Sequence, residues 1–148
     1  MFMSLSMNKL KLNKIDCSVE QKKELFKLLQ ERNFSISHNK DVSYKQHCNF
    51  VDNHPYRAWF LIELSNQVIG SIYITTDNSV GIDLSSKNLI HIQGVLDILY
   101  RKYKPLKGIN SVRNKNFFIN VSEKNKKLKQ ALKRLGYSPI QISYQLKI

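Results

Sequence analysis

The most constraining stretch of this chain is its last thirty residues. Leu128, Ala131, Leu132 and Leu135 recur at i, i+3, i+4 and i+7, which places them on one face of a helix. Ser122 offers a side-chain cap at the start of that helix, and Gly136 offers the left-handed stop at its end. Residues 117–121 read as a strand leading into the helix, and residues 139–148 read as a final strand after the glycine. A helix with one apolar face between two strands belongs on a sheet that it can cover.

Residues 8–16 alternate apolar and polar side chains, the period of a half-buried strand. Ser18 followed by Gln21 makes a capping-box pattern, and Leu25, Phe26, Leu28 and Leu29 supply an apolar helix face. A second short helix is expected over residues 43–51, burying Tyr44, His47 or Cys48, and Phe50. Residues 57–64 and 68–75 read as strands joined by a short turn at residues 65–67. A further turn at Asp77 and Asn78 leads to a strand over 79–84, so three antiparallel strands form a meander. Ile92, Leu96, Leu99 and Tyr103 then mark a helix over 89–103, followed by a basic loop over 104–116.

The expected order is β-α-α-β-β-β-α-β-α-β. That order predicts an α/β (α+β mixed sheet) fold, with a mostly antiparallel central sheet and helices on both faces. Length alone points to one domain over residues 1–148. No apolar run approaches the roughly 20 residues of a membrane helix, and the first 14 residues lack the apolar core of a secretory signal. Cys17 and Cys48 have neither CxxC nor zinc spacing, which predicts reduced thiols and a cytoplasmic setting with no metal.

Net charge is +13, and its distribution is uneven. Residues 1–100 hold 11 basic and 10 acidic side chains, whereas residues 101–148 hold 13 basic and one acidic, Glu123. The basic third is a solvated face, a site for a phosphorylated small ligand, or a surface for a nucleic-acid backbone.

The element order, with Asn125-x-x-Leu128 and Leu135-Gly136-Tyr137, resembles the GNAT superfamily of acyltransferases. The hairpin of residues 59–74 is similar to that family's second and third strands, and Val80-Gly-Ile-Asp-Leu84 to its fourth. Residues 54–62 resemble a bacterial subgroup associated with surface-sugar biosynthesis. The resemblance implies acetyl-CoA as co-substrate, with the backbone of Ile82, Asp83 and Leu84 along the pantetheine arm. It also implies Lys87 and Asn88 at the phosphates, together with Asn120 and Asn125. Two departures stand out. The segment 85–94 keeps one glycine, Gly94, where the family's phosphate loop has several, and Leu132 fills the slot where many members carry a tyrosine.

For proton transfer the acidic candidates are Asp83 and Glu63, and Tyr144 on the last strand faces either core or cleft. Tyr137 matches the family's core aromatic. His47, His54, Tyr56 and Trp59 lie before or at the start of the second strand, on the side where the family binds the acyl acceptor. His91 lies at the phosphate-site helix. The leading expectation is an N-acyltransferase, acetyl by preference, acting on a small amine such as a nucleotide-linked amino sugar. The alternative is a GNAT-like scaffold without acetyl transfer, whose basic C-terminal third engages nucleic acid or an acidic partner. A homodimer through the final strands is a further expectation from the resemblance.

Overall fold

The computed structural model describes residues 9–32, 42–85 and 88–148. Five strands form one sheet in sequence order: β1 (Leu10–Lys14), β2 (Ala58–Leu64), β3 (Gln67–Ile74), β4 (Ser79–Leu84) and β5 (Phe118–Ile119). Helices α1 (Val19–Glu31) and α2 (Tyr44–Asp52) connect β1 to β2, α3 (Leu89–Lys102) connects β4 to β5, and α4 (Lys126–Arg134) follows β5. The first three strand junctions are antiparallel and the last, β4 with β5, is parallel.

Local chemistry sets these elements. Ser18 and Ser43 cap α1 and α2, and Ser43 with Gln46 closes a full capping box. Ser65 and Asn66 both adopt left-handed φ, 51° and 66°, as a two-residue hairpin loop demands. Asn78, also left-handed and wholly buried, accepts a hydrogen bond from the Leu106 N–H and donates to the Leu106 and Asn114 carbonyls. It thereby pins the basic loop to the start of β4.

Alternation along the strands divides the core in two. Leu12, Phe60, Ile62, Ile72 and Val80 face one way and pack with Ile92, Val95, Leu96 and Leu99 of α3, joined by Leu128 and Ala131 of α4. Trp59 and Leu61 face the other way and pack with Leu25 of α1 and Val51 of α2. Helices therefore cover both faces, and the layered mixed sheet read from the sequence is the observed one.

Three local expectations are corrected. In α2 the buried residues are His47 and Val51, whereas Tyr44 and Phe50 lie 40% and 43% exposed. Asn125, not Ser122, caps α4: its side-chain oxygen accepts from the Leu128 N–H, and residues 122–125 form a separate turn before the helix, closed by the Asn125 N–H on the Ser122 carbonyl. The segment 139–148 forms no strand, and every residue from 136 to 148 is exposed. A strand is held by its ladder partner, and this segment has no neighbouring strand within the described chain. The expected order thus holds from β1 through α4.

Candidate active site

The parallel pairing of β4 with β5 consists of Ser79 with Phe118 and Val80 with Ile119, so β4 continues for four residues beyond it. The direction of the backbone groups there follows from two bonds to β3. Thr75 donates to the Ser79 carbonyl, and Ser85 donates to the Ile69 carbonyl. Residues 79, 81, 83 and 85 therefore turn their N–H and C=O toward β3, and residues 80, 82 and 84 turn theirs away. The Asn78 carbonyl obeys the same alternation by accepting from Phe118. Ile82 consequently presents its N–H and C=O on the side where β5 has ended.

On the α1–α2 face beside this opening, polar and aromatic side chains stand in two rows. Trp59, Tyr73 and Gly81 are register neighbours across β2, β3 and β4, and so are Leu61, Ser71 and Asp83. The Tyr73 ring lies over Gly81, where a Cβ would overlap its Cζ, Cε1 and hydroxyl. Only glycine leaves room for that ring. Tyr56 stacks on Tyr73 with ring centroids 3.9 Å apart. Burial, with the neighbouring Tyr73, pushes the Tyr56 phenol up to about 12, while Arg32 pulls it the other way. Arg32 Nε lies 3.5 Å from Asp83 Oδ2. That nitrogen is buried and makes no hydrogen bond, as is Trp59 Nε1.

The structure therefore gathers Asp83, Tyr56 and Trp59 with Arg32, Ser71 and Tyr73, three residues that the sequence reading did not single out. Alternation in β3 and a glycine inside β4 were the available signals for Tyr73. Arg32 had none, because its meeting with Asp83 depends on how α1 crosses the sheet. His54 borders this group, edge-on to Trp59, with Nδ1 accepting from the Tyr56 N–H; burial lowers its pKa. Glu63 is half-buried on the same face, but its register neighbours are Lys11 and Val68, away from Asp83. His47 is buried between α1 and α2, 3.1 Å from the Lys22 carbonyl and against Phe26, which fits a packing role. Tyr144 stands 82% exposed in the C-terminal segment.

At the start of α3, Asn88 caps the helix by accepting from the Ile90 N–H. Leu89 and Ile92 turn into the core and Ile90 turns out, so two of the three bulky residues of this segment are removed from the helix end. Gly94 serves packing, since a Cβ there would come within 2.8 Å of Leu10 Cδ2. Lys87 and Ser86 lie outside the described residues. Asn125 spends its side-chain oxygen on the Leu128 N–H, and Asn120 is exposed just past β5. His91 is half-buried in the first turn of α3. Among the described residues no three His, Cys, Asp or Glu side chains gather as a metal site, and no helix is long and apolar enough to cross a membrane.

This arrangement, an antiparallel meander opening beside a short parallel strand, has clear structural counterparts. A possible acetyltransferase from Clostridium difficile 630 superposes with a TM-score of 0.51 at 13% identity, covering 94% of this chain and 97% of that one. The N-acetyltransferase PseH of Campylobacter jejuni, in complex with acetyl coenzyme A, superposes with a TM-score of 0.57 at 14% identity, covering 90% and 92%. A second structure of PseH gives a TM-score of 0.56 at 14% identity, covering 91% and 92%. The chain has a GNAT-like acetyltransferase fold. At the level of sequence, no protein-family model and no curated protein matches it. The GNAT likeness therefore rests on architecture, and the site's chemistry rests on this chain's own residues.

Proposed function

We propose that the protein is an N-acyltransferase that moves an acetyl group from acetyl-CoA to a small amine. The observation that carries this reading is Ile82, whose backbone donor and acceptor face the gap left by β5 immediately beside Asp83 and Tyr73. An extended, amide-bearing arm pairs with such an edge as another strand would. Ile82 and Leu84 would hold that arm, and the first turn of α3 would hold the phosphates, as helix N-termini do. Acetyl-CoA, when bound, supplies a thioester whose carbonyl carbon an amine attacks.

The protein's own share is positioning and proton handling. Asp83, fixed by Arg32, receives the proton that the acceptor nitrogen must lose. The Tyr73 hydroxyl lies over Gly81 beside the open edge and would donate to the departing thiolate, a role for which Leu132 of α4 is chemically unsuited. Tyr56 stays protonated well above neutrality and serves as a hydrogen-bond donor rather than a base. The aromatic wall of Tyr56, Trp59 and His54 suits a ring-bearing acceptor, and a nucleotide-linked amino sugar is the proposed class. The test is thiol release from acetyl-CoA across a panel of amines that includes amino sugars with and without a nucleotide. Turnover with the nucleotide-linked members supports the reading. Binding of acetyl-CoA without turnover of any amino sugar removes that acceptor class.

A second reading follows from α4, where Lys126, Lys127, Lys129, Lys133 and Arg134 are all exposed. Such a face binds polyanions, and binding to a nucleic acid would weaken steeply with salt. Salt-independent retention, or none, counts against it.

A further inference from the structure

We infer that the turn of residues 107–115 is a membrane-surface anchor, and that the end of the molecule carrying it lies on an anionic lipid bilayer without spanning it. This turn breaks the basic loop with two aliphatic side chains held out into water. Val112 is 74% exposed and Ile109 is 45% exposed. Lys107 and Lys115 flank them and are exposed as well. An aliphatic tip ringed by lysines matches the boundary between lipid headgroups and acyl chains. The tip enters the apolar layer while the cations stay with the anionic headgroups.

The tip is built in advance. Ile109 and Arg113 exchange both backbone hydrogen bonds, at 2.9 and 2.8 Å, and the Val112 N–H donates to the same Ile109 carbonyl. Ser111 takes the left-handed conformation inside this turn, with φ 64°. Gly108 lies so close to Lys115 that a Cβ would come within 2.8 Å of the lysine Cβ. Asn78 fastens the loop at two points through Leu106 and Asn114. A braced backbone thus presents Ile109 and Val112, and little further ordering is needed when a surface receives them.

Charge complementarity selects the partner. Residues 101–122 carry six basic side chains, Arg101, Lys102, Lys104, Lys107, Arg113 and Lys115, and no acidic one. Of the carboxylates beside them, Asp77 accepts from Thr75 and Ser79, and Asp97 accepts from Gln93. A nucleic acid meets the same charge but gains from free aromatic platforms, not from an aliphatic tip. The rings at this end are already engaged: Tyr103 packs edge-on to Phe60, and Tyr100 stacks with Phe117. Lipid is the partner that uses both the lysines and Val112. Asn78 directly precedes β4, and Ile82 lies four residues further on, roughly 13 Å away. Docking at the near end of β4 therefore leaves the candidate site at its far end open. The inference stands independently of the reaction proposed above.

Co-sedimentation of the full chain with lipid vesicles tests this. Vesicles containing phosphatidylserine should bind on the order of a hundredfold more tightly than vesicles of phosphatidylcholine alone. Ile109→Ser with Val112→Ser leaves the charge unchanged and should weaken binding to the anionic vesicles by about tenfold. Lys107→Glu with Lys115→Glu should weaken it by about a hundredfold or more. Lys126→Glu with Lys129→Glu makes the same change of charge on α4 and should weaken it clearly less. Circular dichroism checks that each variant folds; all of these positions are exposed. Equal binding to both kinds of vesicle, or binding to neither, would overturn the inference. So would indifference to the serine pair, or an equal loss in the α4 pair, since either result means adhesion by net charge alone. Retention on single-stranded nucleic acid without binding to vesicles would assign this end to that partner instead.

Discussion

Asp83 and Arg32 face each other at 3.5 Å on the rim of the β4 opening, and this pair concentrates the proposed chemistry. Asp83→Asn keeps the shape and removes the proton acceptor. Turnover should fall by about 10² to 10⁴, while acetyl-CoA affinity changes little, which steady-state kinetics and calorimetry check separately. Tyr56 makes a prediction about pH. Its folded pKa lies above its ordinary 10.0, so the unfolded chain loses that proton first and stability falls as pH rises between 10 and about 12. Tyr56→Phe should flatten the alkaline decline in denaturation midpoint over that window. The sequence singles out Asp83, Tyr56 and Trp59 as candidates, and the fold brings them to one face of the sheet. Arg32 was not legible, since nothing local to residue 32 announces a partner 51 positions away.

The hairpins and the α3 stripe were readable because strand alternation, short turns and helical spacing are local signals. The C-terminal segment differs from its sequence reading for the opposite reason: its alternation is a strand's, but it pairs with no strand of the described sheet. β5 is only Phe118–Ile119, shorter than the apolar run around it suggested, and that shortness is what opens the edge of β4. Gly81 tests how the opening is furnished. In Gly81→Ala the new Cβ collides with Tyr73, and repacking should cost about 1–3 kcal/mol in denaturant unfolding. In a Tyr73→Ala background the same change should cost clearly less, the coupling expected of side chains in contact. Asn78→Ala removes three hydrogen bonds that tie the loop of residues 104–116 to β4. It should destabilise by roughly 1–3 kcal/mol per backbone group left unsatisfied.

At the scale of the whole molecule, a GNAT-like fold carries Leu89, Ile90 and Ile92 at the start of α3, where the resemblance implied a glycine-rich segment. The fold was legible from element order. Whether the helix end stayed accessible was not, because that depends on Leu89 and Ile92 turning inward. The account's central claim is that the edge of β4 and the start of α3 still receive acetyl-CoA. Thermal unfolding with and without acetyl-CoA tests it most directly. At 100 times its dissociation constant the ligand should add about 2.7 kcal/mol of stability, a rise on the order of 8 °C for a chain of this size. An unchanged midpoint at millimolar acetyl-CoA would contradict the claim.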